Sequence, residues 1–180
     1  INENSKSVVG IQKSDFKFKE KVWYLNENND RSNKIVFDNS FRDLQIDSLV
    51  MSHKNEQIRL SGNMRDSTYK NFKMKFSEVD IGKISPEIDS LDLAGILNGD
   101  LELLQEDGAY FPVSNLRIDQ FQVNDLVMGN LALDVSGNQD LSTYSVYAQL
   151  EKEGIESLSA IGDINVNGSE PRIDLEVNMN

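Results

Sequence analysis

Apolar and polar residues alternate with a period of two over most of this chain, the pattern of strands that bury one face. From Leu91 the odd positions read Leu91, Leu93, Gly95, Leu97, Gly99, Leu101 and Leu103, opposed on the even side by Asp92, Asn98, Asp100 and Glu102. Val127, Gly129, Leu131, Leu133 and Val135 alternate with Asn130, Asp134 and Ser136, and Ile173, Leu175, Val177 and Met179 with Asp174, Glu176 and Asn178. Tyr144 to Leu150 and Leu158 to Val166 continue the pattern. No stretch sustains a helical stripe beyond about two turns. The pattern predicts an all-β chain.

Turn chemistry separates these runs. Asn28-Asn29-Asp30, Glu106-Asp107-Gly108, Gly137-Asn138-Gln139-Asp140, Glu153-Gly154 and Gly168-Ser169-Glu170-Pro171 are rich in residues that accept positive φ or bond their own backbone. The economical topology is an antiparallel meander of hairpins. Val79 to Pro86 breaks the alternation, which predicts a short helical turn or a crossover there. It marks 79–90 as the candidate break in an otherwise single β domain over residues 1–180.

Gly62, Gly95, Gly129 and Gly162 are spaced 33, 34 and 33 residues apart, each flanked two positions away by apolar or small residues of the same face. A fixed period of this size predicts stacked hairpin units of about 33 residues. Glycine on an inward face weakens a strand, so its recurrence points to a close backbone approach or a bend. Strands of about ten residues make a tall sheet of roughly 33 Å. Its apolar face must be covered by a second sheet, by curling on itself, or by an apolar ligand. Periodicity leaves these three open.

Composition narrows the function. Among 180 residues, 18 Lys+Arg stand against 30 Asp+Glu, a net charge of −12, which argues against nucleic-acid binding. Residues 1–83 carry a net +3 and residues 84–180 a net −15. The division suits either a solvated acidic face or two surfaces with different partners. There is no cysteine and one histidine, His53, so disulfides, thiolate zinc sites, cysteine nucleophiles and a Ser-His-Asp triad are not expected. Asn26 to Asp30 offers oxygen atoms but lacks the glycine and the terminal Glu of a calcium loop, and a solvated turn is expected. Trp23-Tyr24, beside Phe16 and Phe18, fits a core position, an edge anchor or a sugar platform. No acid/base motif or phosphate loop is present, since Gly95 and Gly99 fall within one strand. The chain is read as a non-enzyme with no cofactor and no metal. It starts at Ile1, has no signal-like segment and has no apolar run long enough for a membrane helix, so it is expected to be a piece of a longer repetitive protein.

Leu93-Ala94-Gly95-Ile96-Leu97-Asn98-Gly99-Asp100-Leu101-Glu102-Leu103 resembles the LxGxLNGxLxL segment of the TamB-like branch of the AsmA superfamily (the translocation and assembly module). Phe111-Pro112-Val113, Leu116-Arg117-Ile118 and Leu126 to Leu133 follow in the family's order, and Ile35 to Met64 is similar to its upstream run. The likeness covers about residues 20–180, in the Lys-, Asn- and Asp-rich style of Bacteroidetes members. It implies a tall meander curled into a U-shaped β-taco with an apolar groove, in a periplasmic, inner-membrane-anchored parent chain. It also implies phospholipid transport to, or protein assembly in, the outer membrane, with an outer-membrane β-barrel as a partner. Leu60, Met64, Phe72, Met74, Phe76, Leu97, Leu101, Leu103, Leu116, Ile118, Leu131, Leu133, Val146, Ile164, Ile173 and Leu175 are then the expected lining for acyl chains of a phospholipid or other amphiphile. The alternative is a secreted β-sandwich binding or adhesion module in which the same residues form a closed core. The groove is expected to hold no fixed charge, leaving the head group outside.

Overall fold

Alternation becomes strand along nearly the whole chain, and the computed structural model describes residues 6–19, 21–85, 91–167 and 171–180. The first hairpin runs in two pieces. β1 (Lys6–Gly10) and β2 (Ser14–Phe18) lie in line and return as β3 (Lys21–Leu25) and β4 (Lys34–Asp38). Phe18 pairs with Lys21 at one end and Lys6 with Asp38 at the other. β5 (Asp43–His53) spans both returning pieces, with Leu44 opposite Phe37 and Met51 opposite Leu25. The meander continues through β6 (Glu56–Arg65), β7 (Tyr69–Asp80), β8 (Leu93–Glu106), β9 (Ala109–Val123), β10 (Leu126–Gly137), β11 (Thr143–Lys152), β12 (Ile155–Asn165) and β13 (Arg172–Met179). Each pairs antiparallel with its predecessor. The 13 strands form one open sheet that does not close into a barrel.

The interruption at residues 26–33 is built rather than loose. Asn26 is buried, its Nδ2 donates to the carbonyls of Ile11 at 2.6 Å and Asp30 at 3.0 Å, and its Oδ1 accepts from the Asp30 N–H at 2.7 Å. Asn33, also buried, accepts from the Val50 N–H at 2.9 Å. The solvated turn expected here holds at Asn28, Asn29 and Asp30, which are exposed, and it is anchored by the buried Asn26.

The expected helical turn between β7 and β8 is α1 (Ile81–Ile84). Asp80 caps it by accepting from the Gly82 N–H at 3.1 Å, and Ser85 ends it, as suits a residue that precedes Pro86. β7 and β8 pair with each other on either side, Val79 opposite Leu97. The Gly168 to Glu170 part of the last expected turn lies outside the described residues.

The register slips at several places, and three of them share one form. In β5, β7 and β9 two residues stand where alternation allows one, between Ile46 and Leu49, Phe76 and Val79, and Ile118 and Phe121; the register slips there and both flanking apolar side chains face the same side. The bulge residues Glu78 (φ 55°) and Gln120 (φ 52°) each donate an N–H to an asparagine on the next strand, Asn98 at 2.9 Å and Asn130 at 3.1 Å. Beside each bulge sits a glycine: Gly62 opposite Ile46, Gly99 opposite Phe76 and Gly129 opposite Phe121. The recurring glycines Gly62, Gly95, Gly129 and Gly162 fall on β6, β8, β10 and β12, one for each two-strand unit.

At Gly99 (φ +131°) an added Cβ would lie 2.1 Å from the Asn115 carbonyl oxygen, and at Gly129 (φ +122°) 2.2 Å from that of Glu151. Neither backbone can move away without opening the ladder. Gly99→Ala is expected to destabilise the fold by about 2–3 kcal/mol. Gly10→Ala, with nothing within 4 Å of the new methyl, should stay within about 0.5 kcal/mol. Urea unfolding of the two variants checks this.

Candidate functional site

Cross-strand register fixes which side chains share a face. Leu60, Met74 and Leu101 form one row across β6, β7 and β8; Phe72 and Leu103 form the next, with Leu116 opposite Leu133 and Ile118 opposite Leu131 further along. Met64 lies on the same side opposite Leu44 and Lys70. Val146 faces Val135 and Gly162, Ile164 faces Tyr144 and Ile173, and Leu175 faces Gly162. All sixteen expected lining residues stand on one face.

That face is not uniform from end to end. At the α1 end, Trp23, Ile58, Phe76, Val79, Ile81 and Leu97 form a buried cluster, joined at its margin by Met51, Met74, Ile84, Leu93, Leu116, Ile118 and Phe121. Phe76 and Leu97 are therefore packed core and do not line open space. Trp23 belongs to the core, its ring tilted against His53 at 5.7 Å. Away from this end, a concave space of about 520 Å3 is lined from Leu60 on β6 to Tyr144 on β11, with Phe72, Met74, Leu101, Leu103, Leu116 and Leu133 between them. Five strand spacings of a flat sheet are about 24 Å, so one space bounded by both ends requires the sheet to curl. Lys19, in the β2–β3 turn, donates to the Ser85 carbonyl beyond α1, which ties the same curl at the packed end. Toward β13 the face opens outward, with Leu175 36% and Ile173 63% exposed, and within the concave space Leu101 on β8 is 36% exposed.

Charge marks both ends of the apolar face. At the packed end Glu56, 6% exposed, accepts from Lys83 of α1 and from the Asp80 N–H, and Asp80 lies 3.5 Å from the same ammonium. Partial burial disfavours the Lys83 ammonium, but the hydrogen bond and charge of Glu56, joined by Asp80, outweigh it and raise its pKa. At the opposite end Lys70, Gln105 and Tyr110 form a cross-strand row just beyond Phe72, Leu103 and Pro112. Lys70 is the one charged residue of β7, β8 and β9 in phase with the inner face, and Glu102 also borders the space, which corrects the expectation of a charge-free interior. Sequence reasoning missed it among the many lysines of this half, although it is in phase with Phe72, Met74 and Phe76.

The other face carries the charge division seen in the sequence. Lys73 and Lys75 of β7 pair across from Glu102 and Asp100 of β8, with Lys73 3.7 Å from Asp100. The basic and acidic halves are thus two parts of one outer surface that meet at this ladder. Among the described residues there is no cluster of side chains suited to a metal ion, and no helix is long and apolar enough to cross a membrane. Comparison with known proteins finds no matching family model, no matching curated protein and no matching solved structure.

Two outcomes follow from this geometry. Leu131→Arg puts a charge on the inner face and should cost about 3 kcal/mol, whereas Ser136→Arg, exposed on the outer face, should stay within about 0.5 kcal/mol; equal shifts in melting would overturn the face assignment. Asn130 does not serve as the outward control, because its side chain holds the Gln120 bulge. Since a raised lysine pKa adds stability that is complete below the ordinary 10.5 and lost as pH rises through the folded-state value, wild type should lose stability in alkali that Lys83→Met does not. At neutral pH that variant should be less stable by about 2 kcal/mol. Urea titrations across the alkaline range read both effects.

Proposed function

We propose that this chain is a non-enzymatic module of the cell envelope whose apolar groove takes the acyl chains of lipids, contributing to phospholipid transport to, or protein assembly in, the outer membrane. The observation that carries the reading is the open inner face: one curled sheet with apolar side chains along a concave space and no second sheet over it among the described residues. A water-filled groove lined by leucine, methionine and phenylalanine gains about 0.8 kcal/mol for each methylene that replaces water against it. The resemblance of residues 93–103 and 126–133 to the TamB-like branch supports the same reading and supplies its cellular setting: a periplasmic location, an inner-membrane anchor elsewhere in the parent chain, and an outer-membrane barrel as partner. A closed sandwich would hide Leu101, Ile173 and Leu175, all of which are exposed.

Leu101 is the residue on which to test it, because it lines the space yet lies outside the buried cluster. Wild-type protein carrying a photo-crosslinker in the groove should capture a phospholipid probe. Leu101→Asp should keep the β spectrum, melt within a few degrees of wild type and lose most of the crosslinking. Full crosslinking in the folded variant, or none in wild type, would overturn the groove reading.

A further inference from the structure

We infer that Lys70, with Gln105 and Tyr110 beside it, is a head-group site that selects amphiphiles with an anionic head; this inference rests on the groove reading above. The three residues pair in sequence across β7, β8 and β9, so they form one row on the inner face. The row lies two residues, about 7 Å along the strands, beyond Phe72, Leu103 and Pro112, which bound the apolar space. An amphiphile lying along the strands with its tail toward the buried cluster therefore brings its head to this row.

The chemistry of the row fits an anion. The Lys70 ammonium reaches across Gln105 to lie 5.8 Å from the centre of the Tyr110 ring, and no carboxylate among the described residues pairs with it. Lys34 and Lys73 of the outer face, by contrast, are paired with Asp47 and Asp100. Gln105 is 5% exposed and its Oε1 has no hydrogen-bond partner. A buried amide oxygen left unpaired is costly; it accepts and does not itself attract the anion, so Lys70 supplies the charge while a protonated phosphate oxygen or a water carried by the head would satisfy Gln105. In a chain of net charge −12, Lys70 gives a local attraction for an anion at this end of the groove, within the half of the chain that is itself net positive. The buried cluster at the α1 end fixes the orientation, because its packed side chains leave the head no open space there.

Calorimetry with three ten-carbon probes below their micelle concentrations tests this: decyl phosphate, decanoate and the neutral decyl glucoside. Wild type should bind both anionic probes about tenfold more tightly than decyl glucoside, the size of one charge-assisted hydrogen bond. Lys70→Gln should erase that preference so that all three bind alike, and Lys70→Arg should restore it. Tighter binding of decyl phosphate than of decanoate identifies a phospholipid-type head, and the reverse a fatty acid. Equal preference for anionic probes in wild type and folded Lys70→Gln, or displacement of decyl phosphate by inorganic phosphate alone, would overturn the head-group site while leaving the groove standing. Failure of wild type to bind any of the three, decyl glucoside included, would instead overturn the groove reading itself.

Discussion

The whole architecture depends on a sheet that has one apolar face and no partner sheet to cover it. Such a face must curl, and a strand of ordinary residues resists curling because side chains on the concave side crowd one another. The structure relieves the crowding at fixed intervals. A bulge in β5, β7 or β9 stands next to a glycine in β6, β8 or β10, so an extra residue on one strand meets a missing side chain on the next. Phenylalanine fills the vacated space from the neighbouring strand at Gly62, Gly99 and Gly129, opposite Phe72, Phe76 and Phe121. Two of the recurring glycines, Gly62 and Gly129, thus stand at bends, and Gly99, outside the 33-residue period, stands at the third.

Stability is concentrated at the α1 end of the sheet. Val79 is fully enclosed, and Trp23, Ile58, Phe76, Ile81 and Leu97 surround it. The strands beyond are held mainly by their ladders and by turn chemistry. In the β10–β11 turn, Asn138 accepts the N–H groups of Ser142 and Thr143 through one side-chain oxygen and donates to the Ser142 hydroxyl. This division suits a protein that must keep much of its apolar surface accessible. One end supplies the cooperativity of folding, and the other stays exposed to solvent.

Strand content, meander order and inner face were legible because alternation reports which side chains share a side, and the hairpin turns keep that phase from one strand to the next. The glycine repeat was legible for the same reason. The bulges were not. Ile46 with Leu49, Phe76 with Val79 and Ile118 with Phe121 read as lapses in the pattern, and only the pairing of adjacent strands shows them to be corners. Asn98 and Asn130 looked like ordinary polar residues of the outer face, yet each satisfies a bulge N–H on a strand distant in sequence. The break at 79–86 was visible, but its role was not. The contacts of Ile81, Ile84 and Lys83 belong to the tertiary structure and have no signature along the chain.

An open groove of leucines faces a physical objection: its walls should collapse on one another, since closing them would remove apolar surface from water at about 25 cal/mol per Å2. The packed end answers it. Trp23, Ile58, Phe76 and Leu97 fill the space between the curled strands there, and α1 sets Ile81 and Ile84 into the same cluster. The walls at that end are held apart by solid side chains at interior density, which do not compress. The strands are long and continuous, 12 residues in β7, 14 in β8 and 15 in β9, so the separation imposed at one end is carried along them to the other. Collapse of the open end would have to break the asparagine-held bulges or force backbone onto Gly99 and Gly129, where no room exists. The core therefore acts as a spacer, and the groove is open because the end beside it is full.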